Sequence, residues 1–86
     1  MPKHTYPIIF ISNEETKLYN GYVPDLAIFA DGKTPEDVYS YMEEMLHNYM
    51  VLAAKYNVEI PTPSTLEDTT KKWPGYKVSL ITAEIK

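Results

Sequence analysis

Apolar positions along the 86 residues form short runs between turn residues and one long helical repeat. Residues 6–12, YPIIFIS, predict a first strand. Tyr6, Ile8 and Phe10 fall on one side, Ile9 and Ile11 on the other. Both sets are apolar, so the strand is expected to be central and covered on both faces. Pro7 is acceptable near its start, where a ladder donor can be missing. Residues 13–17, NEETK, read as a charged hairpin loop, and 18–23 as the second strand. Gly21 inside that strand marks a bulge or a close approach. Pro24-Asp25 turns the chain, 26–30 form the third strand, and Asp31-Gly32 closes it.

A helix is predicted over 35–56. Thr34 is a good N-cap, Pro35 suits the first helical position, and Glu36 and Asp37 face the positive end of the helix dipole. Val38, Tyr41, Met42, Met45, Tyr49, Leu52, Ala53 and Tyr56 recur at three- and four-residue steps and define one apolar stripe. Tyr41, Tyr49 and Tyr56 are then expected at the core with their hydroxyls at its margin. Met42, Met45 and Met50 read as adaptable core. Asn57, Pro61 and Pro63 end the helix and keep the exit extended. Ser64-Thr65-Leu66-Glu67 is a capping-box pattern that predicts one or two helical turns ending near Lys71. Trp73-Pro74-Gly75 makes a turn, and 76–85 alternate as the last strand.

The order is βββαβ. It predicts a two-layer α+β domain: an antiparallel three-stranded meander, a crossover helix on one sheet face, and a last strand parallel to the first or third. The other face would be left open, with Ile9, Ile11, Ile81 and Ile85 sharing an apolar patch. That patch and the two-sided first strand favour a homodimer or a higher even homo-oligomer.

Composition narrows the function. A net charge of −4 opposes free nucleic-acid binding and suits a basic partner. With no cysteine there is no disulfide, thiol nucleophile or cysteine-based metal site. No apolar run has the length of a membrane span, and the N-terminus does not read as a signal peptide, so a cytoplasmic protein is expected. The first strand carries no carboxylate for a two-metal site, His4 and His47 are far apart in sequence, and the serines lack a nucleophile-elbow context. These readings predict no enzyme, no cofactor and no metal. Two acidic clusters could meet a basic partner: Glu14 and Glu15 with Tyr19 and Tyr22 across the hairpin, and Asp25, Asp31, Glu36 and Asp37 around the helix start. Tyr39 joins Tyr19 and Tyr22 as an exposed-contact candidate. Glu14, Glu15, Tyr19, Tyr22 and Asp25 are taken as the expected partner-binding set, although capping and turn formation also account for much of the second cluster.

The ordered segments YPIIF, Gly21-Tyr22-Val23-Pro24-Asp25-Leu26, Thr34-Pro35-Glu36-Asp37-Val38 and Ile60-Pro61-Thr62-Pro63-Ser64 resemble HicB-type antitoxins across nearly the whole chain. Ala27-Ile28-Phe29 stands where those proteins usually carry glycine-cysteine. The resemblance implies a degraded ribonuclease H-like fold and a non-enzymatic role. It implies a partner too, a small basic HicA-type toxin that cleaves mRNA. Many relatives add a DNA-binding module after the last strand. Residues 1–86 are expected to form a single domain without one, and this chain alone is expected to bind no specific DNA. The alternative is a stand-alone HicB-like oligomeric scaffold or small-ligand binder without a toxin.

Overall fold

Strand β1 spans Lys3–Asn13 in the computed structural model, which describes residues 3–84. It is longer than its apolar run because both ends gain pairing partners. The chain continues through β2 (Leu18–Val23), β3 (Ile28–Gly32), α1 (Pro35–Lys55), α2 (Leu66–Lys72) and β4 (Lys77–Glu84). The sheet order is β3-β2-β1-β4, and every pairing is antiparallel.

The expected parallel last strand is therefore corrected. Helix α1 carries the chain about 30 Å back along the sheet at 1.5 Å per residue. The segment 57–76, with α2 inside it, then returns the chain to the hairpin end. Lys77 accordingly pairs with Phe10, and β4 runs back along β1 until Glu84 meets Lys3.

The third strand begins at Ile28 rather than at residue 26. Residues 24–27 are all used by the turn. Leu26 N donates to the Val23 carbonyl at 3.2 Å and Ala27 N to the Pro24 carbonyl at 3.4 Å. Ala27 takes φ 54°, and Leu26 is buried inside the turn instead of in a ladder. Gly21 sits in continuous register, so it is a close-approach position and no bulge.

Helix α1 starts as its sequence dictates. Thr34 Oγ1 accepts from Asp37 N at 3.1 Å, and Pro35 occupies the first turn. Its end is a Schellman closure: Val58 N donates to the Ala53 carbonyl at 2.8 Å, and Asn57 takes φ 54°. The buried stripe is Val38, Met42, Leu46, Met50 and Ala53. This corrects the expected stripe, which left out Leu46 and Met50 and included Tyr41, Met45, Leu52 and Tyr56, all exposed. Tyr41, Met45 and Leu52 lie beside the buried row on the helical wheel, at a rotation that carries them past the sheet, and Tyr56 is the C-cap residue beyond the last helical turn. Tyr39, on the other flank, is half-buried and donates its hydroxyl to the Leu80 carbonyl at 3.2 Å.

Tyr6, Ile8, Val23, Ala30, Ile81 and Ala83 meet α1 from the sheet. Ile81 thus belongs under the helix, as its pairing with core residue Tyr6 requires, and not beside Ile9. Ile85 lies outside the described residues. On the other face Pro7 and Ile9 are also fully buried. Helix α2 packs against β4, and Trp73 sets its ring against Tyr22, the cross-strand partner of Ile9. The second face is thus partly covered, where an open one was expected. Thr65, not Ser64, caps α2 by accepting from Asp68 N at 3.0 Å, because Ser64 is engaged elsewhere.

Tyr6 ties the helix exit to the sheet by donating its hydroxyl to the Pro61 carbonyl at 2.7 Å. Burial, then the Asp25 charge and then Tyr49, raise its pKa above the ordinary 10.0. The neutral phenol is favoured in the fold, so its contribution is intact below pH 10 and lost as pH rises through the higher folded value. Tyr6→Phe is expected to cost about 1 kcal/mol at neutral pH. It should also flatten the fall in stability above pH 10. Urea denaturation at pH 7 and at alkaline pH checks both, and an unchanged alkaline slope would remove Tyr6 as its source.

Candidate protein-binding surface

The β1–β2 hairpin holds its acidic tip by side-chain capping. Asn13 Oδ1 accepts from Glu15 N at 3.0 Å and Thr16 N at 3.3 Å, and Thr16 Oγ1 accepts from Leu18 N at 3.3 Å. Lys17 takes φ 58° to close the loop. Glu14 and Glu15 are left exposed at the tip. Register places Tyr19 opposite Gly32 and Asn20 opposite Asp31, so β3 finishes at this same end. Asp31, Glu36 and Asp37 are exposed there. Most of the two acidic clusters therefore converges on one end of the sheet.

Asp25 lies at the opposite end. Its carboxylate accepts from Ser64 N at 2.9 Å and from Ser64 Oγ at 2.7 Å. That clamp fastens the β2–β3 turn to the segment between the helices. Asp25→Ala is expected to lower stability by about 1–2 kcal/mol, the scale of hydrogen bonds to a charged acceptor at a half-exposed site. Thermal unfolding of this variant beside Ser64→Ala gives the check: two losses that simply add in the double variant would contradict the clamp.

Tyr19 and Tyr22 are three residues apart in β2 and so belong to opposite sheet faces. Tyr19 packs against the α1 core. Tyr22 lies on the second face, stacked on Phe29 with centroids 4.4 Å apart and planes at 21°. Trp73 meets Tyr22 edge-on at 5.8 Å, and Tyr76 meets Trp73 at 6.1 Å. The row Phe29, Tyr22, Trp73, Tyr76 was not assembled by sequence reasoning. Starting β3 at Ile28 would have revealed its first pair, since Tyr22 and Phe29 then stand opposite each other across the turn.

Phe29 keeps 63% of its surface exposed, and Leu80 on the same face is also exposed. Asp31 follows Phe29 by two residues, so it shares this face. The result is an aromatic strip leading toward the acidic end, a combination suited to holding a protein surface with basic groups. Among the described residues no group of three or more His, Cys, Asp or Glu is placed to hold a metal ion. No described helix is long and apolar enough to cross a membrane.

A four-stranded antiparallel sheet under one long helix, with a short helix packed on β4, defines an α+β fold. The chain matches the crystal structure of the N-terminal domain of Burkholderia pseudomallei antitoxin HicB with a TM-score of 0.83. The match covers 95% of this chain and 100% of that one, at 19% sequence identity. The HicB-like fold expected from the sequence segments is thus the fold present. No family model matches the sequence, and no curated protein does.

Proposed function

We propose that this chain is a non-catalytic, antitoxin-type protein-binding domain that neutralises a small basic HicA-type, mRNA-cleaving toxin. The observation that carries the proposal is the near-complete structural match to a HicB antitoxin domain. The acidic net charge, the exposed carboxylates at the hairpin end and the adjoining aromatic strip support a basic protein partner. Glu14 and Glu15 act mainly in steering, while Tyr22 and Phe29 supply contact area. Tyr19 and Asp25 serve this surface indirectly, through the packing and the turn they hold. The chain acts as a soluble cytoplasmic homo-oligomer.

The test uses Glu14→Lys with Glu15→Lys and follows association with the purified toxin by stopped flow. The expected result is roughly a 3- to 10-fold slower association at low salt, converging toward wild type at high salt. Equal rates at both salts, with unchanged circular dichroism, remove the hairpin from the binding surface. A stand-alone scaffold predicts no binding to the product of a neighbouring small basic reading frame in either variant.

A further inference from the structure

The exposed flank of α1 repeats a pattern of its own. Tyr41, Met45, Asn48 and Leu52 are spaced by four, three and four residues, and Tyr56 follows one turn later. All five are exposed, with Leu52 at 52% and Tyr56 at 66%. At the C-terminal end of this row Tyr49, Leu52, Ala53, Tyr56 and Val58 line an apolar groove of about 270 Å³. At its N-terminal end Tyr41 projects with 52% of its surface exposed. A knob and a hole thus lie on one helix face, on either side of a single polar residue, Asn48.

We propose that this flank is a two-fold interface with a second copy of the chain, the two α1 helices packing antiparallel about Asn48. A two-fold axis there brings Tyr41 of each copy to the groove of the other. Such a contact is self-complementary and closes as a dimer. Charge fixes the orientation. Within α1 the acidic residues Glu36, Asp37, Glu43 and Glu44 all precede Asn48, and Lys55 follows it. Antiparallel packing sets the acidic half of each helix, with Glu44 on this flank, against the Lys55 end of the other. Parallel packing would align like with like. A lone asparagine in an apolar seam sets register by pairing with its own copy.

Area supports the same occupant. The exposed parts of Tyr41, Met45, Leu52, Tyr56 and Val58 come to roughly 550 Å² per copy, so their complete burial brings the pair to about 1,100 Å², the small end of biological interfaces. The surface lies across the sheet from the Tyr22–Phe29 strip, so a dimer leaves that strip free. The inference does not depend on the antitoxin reading.

The chain has no cysteine, so one introduced thiol reports its own position. Asn48→Cys is expected to form a disulfide-linked dimer on mild oxidation, while Thr70→Cys on α2 stays uncrosslinked. Sedimentation at tens of micromolar should give a dimer for the unmodified chain. Leu52→Glu should weaken that dimer on the order of 30-fold or more, as for loss of a central apolar anchor, with helix content unchanged. A wild-type monomer at that concentration overturns the proposal. So does a dimer that Leu52→Glu leaves intact or that Asn48→Cys fails to trap.

Discussion

Leu46→Ala is expected to lower the unfolding free energy by about 2–5 kcal/mol, the cost of emptying a fully packed site. Leu46 has no exposed surface and lies in the row that α1 presses on the sheet. Leu52→Ala, measured at a concentration low enough to dissociate any dimer, is expected to cost less than about 1 kcal/mol, since half of that side chain is already exposed within a single copy. Urea denaturation of the two variants decides which flank of the helix is inside. Equal losses would mean that α1 is rotated from the orientation described. A loss of several kcal/mol takes a large share of a small domain's total stability, so Leu46→Ala should also fall visibly in yield.

The second large effect concerns how closely α1 approaches the sheet. A Cβ placed on Gly21 would lie 2.5 Å from Val38 Cγ1 and 3.4 Å from Ile8 Cδ1. Val38 is β-branched and has little rotamer freedom in a helix, so the helix start must move instead. Gly21→Ala is expected to cost about 1–3 kcal/mol through overpacking. In a Val38→Ala background the same change should cost much less, because the opposing methyl is gone. A double-mutant cycle measures the coupling. Additive losses would show that the two positions do not collide.

These two positions also show what could be read from the sequence. The caps of α1, the limits of β2 and the α+β class were legible because each rests on local chemistry: Thr34 and Pro35 before the helix, alternation through Tyr22 and Val23, Asn57 after it. The rotation of α1 was not. Apolar residues occupy two adjacent rows of the helix, and only the sheet decides that Leu46 goes inside while Leu52 stays out. By sequence Leu26 is placed in the third strand. The Asp25–Ser64 clamp, which joins residues 39 apart, instead helps fix the turn that buries it. The polarity of β4 depended on a return path through α2 that no local pattern records. For the surface, Tyr22 was legible as a contact candidate and its companion Trp73 was not, since 51 residues separate them and only the fold stacks them.

Because β4 runs back along β1, Lys3 and Glu84 stand side by side as pairing partners. The hairpin of Glu14 and Glu15 is at the far end of the same ribbon. A short linker could therefore join the two ends, and the ring could be reopened between Glu14 and Thr16 without cutting a ladder. A circular permutant of this kind should keep the sheet order. By the same geometry, any tether attached before Lys3 or after Glu84 leaves the sheet at one pole, while the carboxylate-rich pole faces away from it.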